Sequence, residues 1–460
     1  MATAPWFVVS PNGVLSLVGL MRGPDKTVPT PAEDWRQASV EVVIPAFREE
    51  DNIVHCLASV ARQTLKPKYI ILIDDGGGDA TCERAREFAA SAGMELTVIQ
   101  RQKPIGKTPT IKRQSREFDA DVEFILDADT FLEDENYIAR CVEELYQGVG
   151  IASACGTILP MRLVDRDRLT QTAPFQKYLD GRPYSDPFVR GMKPIHHLWW
   201  AITNIYRDCL YRYLQRFVYH GQMVFFGSIT NPVGCAVAYR RKYIKNLFDY
   251  YEPIFGDDLT NSEDIFIGFA LNNEGYRNIQ LMDVIARSEE PEVTHLPRQL
   301  YLWSSSFLQS CYYFDDLMRT PFRVFKRWRK KRQEKQSGVE NLRLIKEQYR
   351  QPFGEAHTRV YGRPIGWAMF LGAAEKIFFP TALIIMTILQ MWEPLAVTLV
   401  AEMIVSLSVL FVVAKGARLR TLLKGIVMTP LRYALMVADT WTIGRFAVDL
   451  WITGNRKWRK

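Results

Sequence analysis

Val122-Glu123-Phe124-Ile125-Leu126-Asp127-Ala128-Asp129 decides the reading of this chain. A run dominated by Val, Phe, Ile and Leu makes a short buried strand, and two carboxylates one residue apart close it. The same grammar occurs upstream. Val40-Glu-Val-Val-Ile-Pro45 is a β-branched run followed by Ala46-Phe47-Arg48-Glu49-Glu50, and Tyr69-Ile-Ile-Leu-Ile73 ends in Asp74-Asp75-Gly76-Gly77-Gly78. Helical periodicity over 51–64 and 80–92 separates these runs, and Leu96-Thr-Val-Ile99 adds another strand. Strands alternating with helices predict an α/β domain with a mainly parallel sheet, whose ligands bind beyond the carboxyl ends of the strands.

Outside that domain the composition shifts. With 460 residues, 48% of them apolar and 24% charged, the chain is neither disordered nor wholly embedded in lipid, and it exceeds one compact domain. The pattern divides it into an N-terminal segment and linker (1–38), the α/β domain (39–310), a basic interfacial region (311–364), a transmembrane hairpin (365–414), and a basic loop with an interfacial or re-entrant C-terminal segment (415–460). Leu395 to Ala414 is long enough to span a bilayer and carries one acid, Glu402. Gly366 to Trp392 is interrupted by Glu375 and Lys376, and Pro394 supplies the expected turn between the two. Such intramembrane charges face protein or water. The segment 425–452 contains Arg432, Asp439, Arg445 and Asp449 and ends in a basic tail that a third crossing would place outside, against the charge bias, so two crossings are expected.

The net charge of +7 gathers at Arg319 to Arg332 and at Arg456 to Lys460, interleaved with Phe and Trp. That arrangement suits anionic membrane lipids, and no nucleic-acid motif accompanies it. Basic flanks on both sides of the hairpin predict a multi-pass membrane protein with its α/β domain in the cytoplasm. The seven cysteines are dispersed without metal spacing, as in a reducing compartment, and the run from Trp6 to Met21 lacks the basic leader of a signal peptide.

Asp127 and Asp129 are spaced to share a hard, oxygen-seeking cation, Mg²⁺ or Mn²⁺, that also holds a diphosphate. Asp74, Asp75 and Glu49 are carboxylates able to accept hydrogen bonds from a base or ribose, although turn acids also serve their own backbone. Lys107, in a Pro/Gly/Thr loop, offers a cation near phosphate or sugar. Ser262-Glu263-Asp264 opens a helical run; an acid there caps a helix, or takes a proton from an attacking hydroxyl.

As a set, in order and spacing, these segments resemble the inverting family 2 glycosyltransferases of GT-A fold, especially the membrane-integrated cellulose, chitin and hyaluronan synthase branch. The resemblance covers about residues 40–310. It makes Asp127-Ala-Asp129 the metal motif, with Asp129 the principal ligand, and places Glu49, Asp74, Asp75, Lys107 and Asp127 at the donor. It makes Asp264 the base beside Glu263, with Asp258 of Gly256-Asp257-Asp258 the second choice. Gly234 and Cys235, within Asn231-Pro-Val-Gly-Cys, and Gln299 and Trp303 then border the acceptor. Where processive members carry Q-x-x-R-W, Gln299-Leu-Tyr-Leu302-Trp303 lacks the arginine, and Leu302 makes no bidentate phosphate contact. Arg298 is the substitute expected from sequence.

The resemblance implies a metal-dependent hexosyltransferase that moves sugar from a UDP-sugar donor to a growing glycan acceptor. Two readings compete with that polysaccharide synthase: a non-processive transferase acting on a lipid-linked or polyprenyl-phosphate acceptor, and an inactive scaffold subunit. Two crossings make too few walls for a pore, which implies a homo-oligomer or an enzyme that does not translocate.

Overall fold

The protein is described by a computed structural model over residues 11–22, 34–117, 119–147, 150–255, 262–337 and 353–454. Eight strands form one sheet: β1 (Val40–Ala46), β2 (Tyr69–Asp74), β3 (Thr97–Gln100), β4 (Val122–Leu126), β5 (Thr130–Leu132), β6 (Ile151–Pro160), β7 (Ala236–Arg240) and β8 (Arg277–Ser288), in the order β3-β2-β1-β4-β7-β6-β8-β5. The four predicted strands run parallel. Helices α2 (Ile53–Ala61), α3 (Thr81–Ala92) and α4 (Lys107–Glu117) make the crossovers between them. Val42 and Ile44 join the main core with Ile53, Leu57 and Phe88, while Val43 packs with Ile71 and Ile73 on the other face. Burial on both faces is why these strands read as unbroken apolar runs.

The half of the sheet that follows Asp129 departs from the expectation. β7 is antiparallel to β4 and β6, and β5 to β8, while β6 and β8 pair in parallel. The sheet is mixed, with four parallel and three antiparallel pairings, because the chain beyond β4 abandons the repeated strand–helix unit that parallel neighbours require.

Residues 195–226 are an aromatic-rich stretch with Arg207, Arg212 and Arg216 whose sequence reads as amphipathic, resting on the membrane or flanking the acceptor site. They are mostly buried from Trp200 onward, while Ile195 and Leu198 are exposed. Helix α5 (Pro194–Tyr213), continued by a π-helical turn, buries Trp200, Tyr206, Arg207 and Leu210. It lies between the sheet and the helical bundle. Helices α6 (Glu263–Glu274) and α7 (Leu296–Tyr313) complete the site region.

The bundle consists of α8 (Gly366–Ile388), α9 (Trp392–Val413) and α10 (Arg418–Val448, extended by a π turn to Thr453), with α1 (Pro11–Arg22) against it. Among the described residues three helices are long and apolar enough to cross a membrane, against two expected. Two of the four charged residues within 425–452 are buried partners: Arg432 pairs with Glu402 and Asp439 with Lys376, while Arg445 is exposed. The turn between α8 and α9 falls at Gln390, whose φ is 55°, and Pro394 sits in the first turn of α9, where its missing N–H leaves no bond unmade. Helix Val324–Gln336 carries the basic cluster beside exposed Phe325 and Trp328. The C-terminal cluster Arg456 to Lys460 lies outside the described residues.

Candidate active site

The carboxyl ends of β1, β2 and β4 open on one cleft, and Lys107 is its organising cation. Its Nζ lies 2.7 Å from Asp127 Oδ1 and 2.9 Å from Glu263 Oε1, and donates to the carbonyl oxygen of Gly234 at 3.4 Å. One ammonium thus joins the end of β4, the start of α6 and the loop before β7. Burial works against that charge, but Asp127 and Glu263 outweigh it and hold Lys107 well above the ordinary lysine range. Lys107 opens α4 because Asp75 fixes the preceding loop: its carboxylate accepts from Ile105 N and Gly106 N, the latter at 2.7 Å, and pairs with Arg101 at 3.0 Å. Asp75, expected at the nucleobase, therefore shapes the loop that presents Lys107.

Asp74 is committed inward. It is 1% exposed and accepts from Gly77 N at 3.0 Å, closing the turn in which Gly76 and Gly78 take positive φ. A Cβ on Gly77 would meet Arg48 N at 2.8 Å, so glycine is required there.

Around Asp129 the carboxylates outnumber their cations. Burial first, then the charge of Glu289, pushes Asp129 up to about 6. Asp127 is also pushed to about 6, by burial, with Lys107 opposing and Asp129 adding. Glu49 rises to about 9 through burial and the nearby charge of Asp129, and Glu289 to about 7, chiefly through burial. Asn52 ties Glu49 and Glu289 together through one amide, at 3.0 and 2.6 Å. No group of three or more His, Cys, Asp or Glu side chains among the described residues encloses a single ion position. A cation that takes one or two carboxylates and completes its shell with water and diphosphate needs none, and an all-oxygen donor set with surplus negative charge fits Mg²⁺ or Mn²⁺.

Asp264 borders the cleft with its oxygens already engaged. Oδ2 accepts from Gly234 N at 3.1 Å, and Oδ1 from Ser262 Oγ at 2.5 Å and Ile265 N at 2.8 Å. A Cβ at Gly234 would sit 2.6 Å from that of Asp264, so only glycine allows this approach. Cys235 contributes its carbonyl, which accepts from Asp127 N at 2.9 Å. Asp258 lies outside the described residues.

On α7, Gln299 and Trp303 meet Arg207, one of the three arginines of the aromatic stretch 195–226. Arg207 of α5, 2% exposed, donates to Gln299 Oε1 at 2.5 Å, places its guanidinium 4.4 Å from the Trp303 ring centre, and lies 3.5 Å from Glu290. Arg298, the expected substitute, is exposed. Glu289 and Glu290 were missed. They follow β8, so the strand-ending-in-acid signal was present in Ser288-Glu289-Glu290.

Sequence comparison agrees with this architecture. Residues 41–248 match the Glycosyl transferase family 2 model. An undecaprenyl-phosphate 4-deoxy-4-formamido-L-arabinose transferase of Pectobacterium carotovorum is 31% identical over 116 residues, which are 25% of this chain and 35% of the relative. A dolichol-phosphate mannosyltransferase of Pyrococcus furiosus is 30% identical over 114 residues, 25% of this chain and 32% of the relative. The chain spans about a third of the length of these curated relatives. The mannosyltransferase PcManGT of Pyrobaculum calidifontis, solved with GDP-Man and Mn²⁺, aligns over 96% of this chain and 99% of its own at 13% identity and a TM-score of 0.48. Residues 41–248, which match that family model, hold most of the mixed sheet, through β7. These relatives are polyprenyl-type phosphate transferases, not members of the expected cellulose, chitin and hyaluronan synthase branch.

Proposed function

We propose that this chain transfers one sugar, with inversion, from a UDP-sugar to the phosphate of a polyprenyl lipid at a membrane surface. The observation that carries the reading is the state of Asp264. An acceptor hydroxyl needs a base to remove its proton as it attacks, whereas a phosphate monoester arrives with an anionic oxygen already able to attack. A carboxylate engaged by Gly234 N, Ser262 Oγ and Ile265 N suits a positioning part better than a proton-accepting one. The relatives named above, whose acceptors are lipid phosphates by name, support the same choice.

In this reading Asp129 and Asp127 hold a divalent cation, which when bound neutralises charge on the departing diphosphate. Lys107 meets the same negative charge from the opposite side, and Glu263 fixes Lys107. Asp75 keeps the loop before α4 in place, and Asp74 and Glu49 frame the donor side of the cleft. Arg207, held by Gln299 and Trp303, is the cation available to the acceptor phosphate. Its guanidinium covers one face of Trp303, which removes that face as a stacking platform for a glycan.

The cleft also lies close to the bundle. Gln299 and Trp303 precede Ser304, which accepts from Lys376 of α8 at 2.7 Å, so one helix joins the acceptor region to a candidate membrane span. Exposed Phe325 and Trp328 with their basic neighbours add contact with anionic lipids. The test is product mass. Full-length protein in nanodiscs with Mn²⁺, a panel of UDP-sugars and undecaprenyl phosphate is expected to yield the lipid with one added sugar. A ladder of sugars on an oligosaccharide primer, with the lipid unchanged, overturns the reading in favour of a polysaccharide synthase. No turnover with any donor and either acceptor points to the scaffold subunit.

A further inference from the structure

A cavity lined by none of the carboxylates of the acidic cleft lies where the sheet, α5 and the start of α10 meet. It encloses about 350 Å³, and its walls include Met161 and Leu163 after β6, Trp200 and Ala201 of α5, and Thr421 of α10. Its charged lining is heavily one-sided: Arg162, Arg212, Arg287, Arg420 and Lys424 against Asp208. Some of these cations are spent. Arg162 pairs with Asp165 at 2.6 Å, and Arg287 with Glu133 at 2.7 Å and with Asp165 at 3.1 Å. Arg212 and Lys424 share the single carboxylate of Asp208, and Arg420 is exposed with no ion pair among the described residues. Positive charge is therefore in excess on the α5–α10 side.

A neutral donor points to the same ligand chemistry. Trp200 is 6% exposed, lines the cavity, and its indole N–H has no hydrogen-bond partner among the described residues. Leaving such a donor unmatched in the interior costs about 1–3 kcal/mol, which an acceptor oxygen brought within its reach would remove. A cavity with surplus cations and apolar walls suits a phosphoryl group attached to something greasy.

Helix geometry says where that group comes from. The helix from Arg418 to Thr453 has 36 residues, about 54 Å at 1.5 Å per residue, whereas a bilayer's hydrocarbon core is about 30 Å thick. The surplus length leaves room for the first turns, with Arg418, Arg420 and Lys424, to lie at headgroup level while the rest of the helix crosses. Leu419 and Leu423, on the same turns, are 67% and 55% exposed.

We propose that this cavity binds the phosphate headgroup of an anionic membrane lipid, with the lipid's tails lying along α10. The inference rests on α10 crossing the membrane, not on the sugar chemistry. The lipid would join the catalytic domain, through α5, to the bundle, through α10, and so fix the height of the acidic cleft above the bilayer.

The test uses full-length protein in nanodiscs of phosphatidylcholine alone or doped with phosphatidylglycerol. It reads co-purified lipid by native mass spectrometry and the midpoint of thermal unfolding. Phosphatidylglycerol is expected to be retained over phosphatidylcholine and to raise the midpoint. Arg420→Ser should lower that preference about fivefold, the worth of one interfacial cation. Trp200→Phe, which removes the N–H and keeps the ring, should lower it as well. Ala201→Phe fills the cavity without changing charge and should bring retention to parity, which keeps the test open if Trp200→Phe unfolds. Equal retention of both lipids, or a preference untouched by Ala201→Phe, overturns the proposal. Inorganic phosphate reproducing the midpoint shift in phosphatidylcholine nanodiscs also overturns it, in favour of a soluble anion. Sugar transfer on the same preparations separates the two proposals: retained lipid without turnover refutes the transferase reading alone, and turnover without retained lipid refutes this one alone.

Discussion

Buried carboxylates occur in two regions of this molecule, and their company differs. In the bundle Asp439 and Glu402 each have a cation, and Glu375 accepts from Asn12 N at 2.6 Å. Lys376 Nζ lies 2.8 Å from Asp439 Oδ2 with both side chains fully buried, and Arg432 lies 2.6 Å from Glu402, which also accepts from Tyr433 and Ser406. In the cleft Asp127 and Glu263 share one lysine, and Asp129, Glu49 and Glu289 crowd beside them with no ion pair of their own among the described residues. A matched buried pair is architecture, because each partner removes the other's desolvation cost. A surplus of one sign is a binding site, because the missing countercharge must come from a ligand.

The largest effect should follow from removing the carboxylate with the least internal support. Asp129→Asn is expected to lower sugar transfer by about a thousandfold, a typical loss for a group that stabilises charge on the reacting centre. Thermal stability should hold or rise, since like-charge crowding is relieved. A large fall in the unfolding midpoint would show that the cleft's charges are as structural as those of the bundle.

The bundle should answer in the opposite way. Lys376→Met strands Asp439 in the interior and is expected to cost about 3–5 kcal/mol, whereas Lys376→Met with Asp439→Leu should recover most of that. Unfolding of single and double variants in detergent reads the difference. A double variant no better than the single one would mean that the pair does more than neutralise itself.

Asp264→Asn separates the acceptor readings at smaller magnitude. If Asp264 positions Gly234 and the start of α6, the amide keeps part of that work, and transfer to undecaprenyl phosphate should fall by about ten- to a hundredfold, well short of Asp129→Asn. Loss to the Asp129→Asn level would restore Asp264 as an obligatory base and a hydroxyl as the acceptor. Gly234→Ala forces a Cβ to within 2.6 Å of Asp264 Cβ and should cost about 1–3 kcal/mol of stability.

The contrast between the regions also explains what the sequence could tell. Local signals carried the first half of the sheet, because β1, β2 and β4 are apolar runs each closed by acids. β8 hid its strand character in Arg277-Asn-Ile-Gln-Leu-Met-Asp-Val, where polar side chains alternate irregularly, so Glu289 and Glu290 passed unnoticed. Arg207 was no more prominent than Arg212 or Arg216 in an aromatic stretch; only the packing of α5 against α7 sets it over Trp303. The third candidate crossing was set against the charge bias of its basic tail, and Arg432 and Asp439 within it have their partners, Glu402 and Lys376, 30 and 63 residues away. Charge cancelled across helices leaves no local trace. The acidic cleft was legible because its members announce themselves at strand ends; the matched pairs were not.

The smallest predicted effect tests whether the cleft's surplus charge is what a cation meets. Asp127 and Asp129 are held near 6 and Glu289 near 7, above the range of about 3.9–4.3 for carboxyls in an unfolded chain. Between those limits the folded protein carries more protons than the unfolded one, so these groups favour folding fully only below about pH 4 and lose that contribution as pH rises through 6 to 7. The metal-free protein should therefore lose stability from these groups across that window. Added Mn²⁺ competes with the same protons. Its stabilising shift should be a few degrees near pH 8 and should nearly vanish near pH 5.5, where the carboxyls are largely protonated. Thermal unfolding with Mn²⁺ or with chelator at both pH values reads this directly. An equal shift at the two pH values would mean that the ion binds elsewhere, and the contrast between a matched bundle and an unmatched cleft would lose its chemical meaning.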